Sequence, residues 1–343
     1  MDGRAWCLGV GLAIGVAEAM VSTASAQQVR MPPPPDPAGT FAFIFENDTF
    51  GGSDRYYTNG FLFAWRSPSY DPPDWLGRLT DGPSLLFPGT TTRWGLGFGQ
   101  KKWTPEDTLA RDPPRDDRPY AAWLYGAITL VSYDATTLGS LELQVGVVGP
   151  SALGEQVQNT THDLFNIARA EGWATQIKDE PGVNLVATRQ WRINRPTQWD
   201  GISVGLVPSL SGSLGNVSTF AGAGVMLRLG TELEADFGPP RVRPVSVGSV
   251  FHQPTEALGD RWGWYGFMGV EGRAVLRDIS LDGNTWRDSR SVDRETWVGD
   301  ASLGFALFLN RTRLTATYTV RTEEFATQRN LAQFGSLSIA ARF

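Results

Sequence analysis

The chain of 343 residues contains one cysteine, Cys7, and two histidines. Cys7 falls in the opening stretch MDGRAWCLGVGLAIGVAEAMVSTASAQQ, which reads as a secretory signal peptide over residues 1–26. Arg4 gives it a basic start, Cys7 to Val21 is apolar apart from Glu18, and Ala24 to Ala26 spell a small-x-small cleavage site. The mature chain is therefore expected to lack cysteine, which excludes disulfides, thiolate nucleophiles and zinc–sulfur sites. Charged residues are 19% and the net charge is −6. With no basic run long enough to follow phosphates, nucleic acid is excluded as a partner. Beyond the signal peptide there is no apolar run of the ~20 residues that a membrane-spanning helix needs. No serine sits in a GxSxG elbow.

What remains is rich in glycine (39) and tryptophan (13), a composition that suits tightly turned β-structure with aromatic girdles at a membrane surface. After a stiff Pro-rich leader over 27–39, the chain alternates. In RLTATYTVR, Leu314, Ala316, Tyr318 and Val320 are apolar, and Arg313, Thr315, Thr317, Thr319 and Arg321 between them are polar. SLELQVGVV sets Leu141, Leu143, Val145 and Val147 against Glu142 and Gln144. FAGAGVMLRLG sets Ala221, Ala223, Val225, Leu227 and Leu229 against a glycine-rich face. Period two means strands with unlike faces. Their length, ~10 residues, and their charged faces fit a barrel that turns apolar side chains to lipid and polar ones inward. The C-terminal GSLSIAARF alternates Leu337, Ile339 and Ala341 and ends on Phe343. It is similar to the terminal signal that barrel assembly machinery reads in bacterial outer-membrane barrels.

The expectation is thus an all-β fold: one transmembrane antiparallel barrel over 40–343, multi-pass in the bacterial outer membrane. Its twelve strands are placed at 40–47, 56–66, 92–102, 119–132, 139–149, 183–194, 200–212, 218–230, 262–276, 294–308, 312–323 and 333–343. An even count puts both termini on the periplasmic side. Connections 48–55, 103–118, 150–182, 213–217, 277–293 and 324–332 then face outside. Two inner connections, 67–91 and 231–261, are long for periplasmic turns.

This topology gathers Asn47, Asp48, Thr58, Gln100, Lys101, Asp117, Arg118 and His162 at the outer end, on strands one to five. If GEQVQNTTHDLFNIARA is a short helix in an extracellular loop, Gln158 and His162 share a face, and Leu164, Ile167 and Ala168 anchor it to the barrel. A neutral imidazole is the usual general base. Asp48 accepts hydrogen bonds only, and either orients the histidine or binds a cation. Oxygen donors without thiols favour a hard cation such as calcium. Each residue also has a plain reading: Asn47 and Asp48 as turn residues, Thr58 as a strand residue, DDRPY as a rim ion pair. His252 reads as an inert histidine of a periplasmic loop.

Together NDTF…DRYYTNG, GQKKWTPED…DDRPYAAWLYG, GPSALGEQVQNTTH…GWATQI and PSLSGSLGNVSTFAGAGVMLRLG resemble, in order, the outer-membrane lipid A deacylase family that removes the 3′-linked acyloxyacyl group. The resemblance implies a calcium-dependent esterase acting on lipid A of lipopolysaccharide among outer-membrane lipids, with its site facing outside. It implies His162 as base, with Asn47, Asp48, Thr58 and Gln158 in the site and Asp48 as metal ligand. It also implies a basic residue that binds substrate. Lys101, Lys102, Arg111, Arg115 and Arg118 compete for that part, with Arg118 best fixed by motif and Lys101 beside it. The alternatives are a phospholipase-type esterase, or a barrel without activity serving as a pore or structural element.

Overall fold

Side-chain alternation builds the wall. The computed structural model describes residues 36–48, 56–80, 84–87, 91–239 and 262–343. The expected signal peptide, most of the leader and His252 lie outside them. The strands are β1 (Thr40–Asn47), β2 (Tyr56–Arg66), β3 (Thr91–Thr104), β4 (Ala121–Tyr133), β5 (Thr137–Val148), β6 (Glu180–Trp191), β7 (Ile193–Pro196), β8 (Ser203–Gly215), β9 (Ser218–Gly230), β10 (Trp262–Asp278), β11 (Trp297–Leu309), β12 (Thr312–Arg321) and β13 (Ala332–Arg342). Each pairs antiparallel with its neighbour, β1 with β13 and β6 with β8, so the sheet closes. Closure leaves no unpaired edge in lipid, which strands crossing a membrane require.

Twelve strands form the wall, as the period-two reading expects, and β7 is a short extra one. The expected strand 183–194 is broken at Arg192, and both pieces pair with β8. The break turns the Arg192 guanidinium onto backbone oxygens: Ala135 at 2.6 Å, Glu234 at 2.7 Å and Asp236 at 3.0 Å. A continuous strand could not aim it there.

The faces are divided as the alternation requires. On β12, Arg313, Thr315, Thr317, Thr319 and Arg321 are buried in the lumen, while Leu314 is exposed on the wall. Phe41, Phe63, Leu96, Phe98, Leu143, Val145, Leu227, Met268, Leu303 and Ile339 are likewise exposed. On an outer-membrane barrel that band meets lipid.

The lumen is filled. The connection after β9 folds inward, packing Leu233 and Ala235 against Tyr265, Phe267, Ala306 and Phe308. Residues 231–239 are the described part of one of the two long periplasmic connections. Within them Asp236 is bound by Arg313 at 2.7 Å, Arg228 at 2.9 Å and the Tyr265 hydroxyl at 2.9 Å. A second buried carboxylate, Asp36 of the leader, pairs with Arg93 at 3.3 Å and Arg342 at 2.6 Å. Nearer the outside, Asp300 accepts from Arg321 at 2.6 Å and Arg273 at 3.3 Å.

Helices are few. α1 (Asp74–Gly77) lies in the β2–β3 connection, α2 (Gly154–Phe165) in the β5–β6 connection and α3 (Ile279–Asp282) after β10. α2 is the short extracellular-loop helix that the sequence leads one to expect.

Candidate active site on the outer face of the wall

On the first three strands the lipid-facing row changes character toward the outer end. On β3 it runs Leu96, Phe98, Gln100, Lys102, Thr104, and the last three are buried at 1%, 0% and 0% exposure. The register sets Asn47 beside Asn59, Asn59 beside Lys102 and Lys102 beside Ala122. A polar row thus crosses the outward face over three adjacent strands, which lie ~4.8 Å apart, and ends against Ala122 of β4. Lipid cannot satisfy such groups. What covers part of this face is α2 and the turn before it.

Local sequence explains how α2 reaches the wall. Gly149 has φ 93, and a Cβ there would fall 2.5 Å from the Lys178 carbonyl carbon. Ala152 follows in a single 3-10 turn and offers its carbonyl to the Gln100 amide at 2.6 Å. Gly154, the first residue of α2, is pressed on Ala122 and Trp173, leaving 2.5–2.6 Å for any added Cβ. Only glycine permits that approach.

From this contact the buried stripe of α2 runs Gly154, Gln158, His162, at spacing i, i+4, i+8. It is a polar stripe. Gln158 is 1% exposed and His162 7%. Leu164 and Ile167, expected to anchor the helix on the barrel, are 77% and 46% exposed, and Ala168 is exposed as well. The expectation failed because the helix ends at Phe165, before Ile167 and Ala168, and the face it turns inward is that of Gly154, Gln158 and His162.

The ends of α2 orient its two buried side chains. Asn166 caps it with φ 55 in the left-handed region, and the chain doubles back, with Ile167 N–H on the His162 carbonyl at 2.8 Å. The Ala168 carbonyl then lies 2.6 Å from His162 Nδ1. A carbonyl only accepts, so Nδ1 carries the proton and Nε2 keeps its lone pair. Trp173 Nε1 donates to Gln158 Oε1 at 2.9 Å, and Gln158 Nε2 has no hydrogen-bond partner. Asp163, next to His162, binds Arg169 Nε at 2.7 Å; that hydrogen bond holds its carboxyl below the usual carboxylate range.

Asp48 follows β1 directly and is 1% exposed. Thr58 sits at a register irregularity of the β2–β3 ladder, between Tyr57 and Asn59. The bulge re-aims it: its hydroxyl meets that of Thr104, on the outward row, at 2.7 Å. Asn47, Thr58, Gln158 and His162 therefore belong to the outward side of one wall, with Asp48 at its rim.

The basic candidates part company. Lys101 points into the lumen, over the rings of Trp123 at 5.2 Å and Tyr125 at 5.5 Å. Arg118 is 1% exposed and bound to Glu324 at 2.8 Å and Ser280 at 3.1 Å, tying three outer loops together. Asp117 accepts the backbone N–H groups of Glu106 at 2.8 Å and Arg118 at 2.7 Å, and burial pushes its carboxyl up. The cation in the outward row is Lys102. Lys101 and Lys102 are neighbours on a strand, so one faces each way. Counting parity from Leu96 and Phe98 reveals which. The same count picks out Asn59 and Thr104, and Trp173 is carried by the GWATQI motif.

Among the described residues no group of three or more His, Cys, Asp or Glu gathers. Among the described residues, the Asp48 carboxylate follows Asn47 at the end of β1, and the Thr58 and Thr104 hydroxyls meet at the same end of β2 and β3. Neutral oxygens beside a carboxylate suit calcium better than a transition metal.

The family described as outer membrane protein LpxR matches residues 11–343. This chain belongs to the LpxR family. Its barrel is similar to that of solved LpxR from Salmonella typhimurium, with TM-score 0.73 at 20% identity, covering 89% of this chain and 100% of that one. At that identity the likeness fixes the fold. The β domain of a Bordetella autotransporter gives TM-score 0.44 at 11% identity over 90% of this chain and 100% of that one. No curated protein matches the sequence. Membership of the LpxR family makes this an outer-membrane protein of lipid A deacylase type, in agreement with the motif resemblance.

Proposed function

We propose that the protein is a lipid A 3′-O-deacylase: it hydrolyses the 3′-linked acyloxyacyl ester of lipid A in the outer leaflet. The observation that carries this reading is the paired orientation beneath α2. His162 is pinned through Nδ1 at 2.6 Å, which leaves Nε2 basic, and the Gln158 amide keeps a buried N–H group unengaged. His162 Nε2 takes a proton from water, and the hydroxide attacks the ester carbonyl. The Gln158 NH2 donates to the oxygen as negative charge develops on it. The intermediate collapses, the sugar C3 oxygen leaves, and the imidazolium returns the proton to it. The products are the free acyloxyacyl acid and a sugar hydroxyl.

Asn47 and Thr58 position groups around this centre. Lys102 holds an anionic group of lipid A, such as a phosphate; Lys101 and Arg118 are engaged elsewhere. Asp48 with Asn47 would hold a calcium ion, which when bound polarises the ester carbonyl. The location of the site supports a substrate that lies in the membrane, since it opens beside the lipid-facing band and not into the lumen. Phe343, whose backbone pairs with Gly39 at 3.1 Å in both directions, is the residue we assign to recognition by the assembly machinery.

The test uses purified protein on lipid A and, separately, on phospholipid vesicles, read by mass spectrometry with and without a calcium chelator. Loss of the 3′ acyloxyacyl mass from lipid A is the expected result. Cleavage of phospholipid alone would favour the phospholipase reading, and activity unchanged by chelation would remove calcium.

A further inference from the structure

The segment Ala168–Trp173 touches both buried residues of α2. It brings the Ala168 carbonyl to His162 at 2.6 Å and the Trp173 indole to Gln158 at 2.9 Å. Between these two points it is clipped to the helix: Ala170 N–H donates to Asn159 Oδ1 at 2.9 Å, and Asn159 Nδ2 returns a bond to the Ala170 carbonyl at 3.3 Å.

Trp173 itself has little freedom. It is 1% exposed, starts a single 3-10 turn over Trp173–Thr175, lies 4.8 Å from the Tyr120 ring, and is packed on Gly154. An indole nitrogen can only donate. It therefore selects the oxygen end of the Gln158 amide and turns the NH2 end the other way. That end is buried and finds no hydrogen-bond partner. Leaving a buried donor unsatisfied is costly, and such groups call for an explanation.

We infer that Trp173 is a positioning residue of the hydrolytic site: its indole N–H fixes the Gln158 amide so that the NH2 group faces the developing oxyanion. The inference rests on the deacylase reading above and deepens it. Without the indole donor the amide can rotate, offering its oxygen where a donor is needed. The oxyanion would then meet a repelling carbonyl for part of the time. Removing one such donor from an acyl-transfer site lowers kcat by ~10²–10³-fold; loosening its orientation should lower it by roughly 10-fold or more while KM stays within about twofold.

The test is a double-mutant cycle on full-length protein, read as kcat and KM for 3′ deacylation of lipid A. Wild type, Trp173→Phe, Gln158→Ala and the double variant are compared. A fifth protein carries at position 173 a tryptophan isostere with sulfur in place of the N–H, which keeps the ring's shape. The expected result is a kcat loss in Trp173→Phe that the isostere reproduces, and no further loss from Trp173→Phe once Gln158 is alanine. Full kcat in the isostere would overturn the inference. So would losses that simply multiply in the double variant, because packing alone then explains them. Wild type that leaves lipid A intact would instead defeat the deacylase reading, and this inference with it. Gln158→Ala at wild-type kcat would remove Gln158 from the mechanism and Trp173 with it.

Discussion

The lumen and the cleft beneath α2 both bury polar side chains, and they differ in their charges: the lumen pairs carboxylates with arginines, although Gln190 Oε1 and the Ser140, Thr188, Thr315 and Ser338 hydroxyls there have no hydrogen-bond partner. In the lumen, carboxylates meet arginines: Asp236 between Arg228 and Arg313, Asp300 between Arg273 and Arg321, Asp36 between Arg93 and Arg342. Beneath α2, amide groups are left open: Gln158 Nε2 and Gln100 Oε1 have no hydrogen-bond partner. Ion pairs fill the barrel and hold it shut, whereas the open amide of Gln158 lies one helical turn from His162. A cavity lined by Lys101, Trp123, Gln144, Arg273 and Arg321 lies in the lumen. It is on the far side of the wall from His162, and Arg273 and Arg321 share Asp300.

Substitutions can break this contrast from either side. The largest effect on turnover is expected from Gln158→Ala: kcat for deacylation falls ~10²–10³-fold, while the unfolding temperature falls only modestly, since the NH2 satisfied nothing in the fold and the loss of Oε1 strands one buried donor, the Trp173 indole N–H. Asp236→Ala should do the reverse. It strands two buried guanidinium groups and destabilises the barrel by ~3–5 kcal/mol, read as a lower heat-unfolding temperature, with activity per folded molecule preserved. A stable Asp236→Ala variant would mean the lumen pairs are not what holds the plug.

Lys102 and Lys101 sharpen the comparison within one strand. Lys102→Ala should raise KM for lipid A by roughly 10-fold or more, in line with ~1.5–3 kcal/mol for a hydrogen bond to a charged group. Lys101→Ala should change it by less than about twofold. The opposite ranking would place the substrate in the lumen. Planar-bilayer conductance adds a third probe. Wild type should conduct little, and replacing the inward-packed residues 231–239 by a short polar linker should open the pore.

The smallest effect concerns pH. The Arg169 hydrogen bond holds the Asp163 carboxyl below its ordinary value. The support this pair lends to the end of α2 is therefore complete above the ordinary carboxylate range. It is lost only as pH falls through the depressed value. Asp163→Asn should reduce amide protection of the last turn of α2 near neutral pH. The difference from wild type should begin to shrink only as pH falls below the ordinary carboxylate value of roughly 4, and vanish below the depressed one.

Much of this was legible in the residues. Period two places β1, β2 and β9 at their observed bounds and assigns faces to β5 and β12. The i, i+4 relation of Gln158 and His162 is that of one buried stripe. Strand parity also separates Lys101 from Lys102, once Leu96 and Phe98 are known to face lipid. Other features were out of reach for physical reasons. Arg118 and its partner Glu324 are 206 positions apart and meet only because outer loops converge. The break at Arg192 depends on a connection folding into the lumen. The exposure of Leu164 departs from the rule that a helix hides its apolar face, because the buried stripe of this helix is the one that carries Gln158 and His162, and Ile167 lies beyond the helix end.

The most direct test is mass spectrometry of lipid A from cells expressing wild type or His162→Ala, with both proteins confirmed in the outer membrane. The account predicts that wild type removes the 3′-linked acyloxyacyl group and that His162→Ala leaves it in place, a loss of roughly 10²–10⁴-fold for a missing general base. Removal at the wild-type rate by His162→Ala would contradict it.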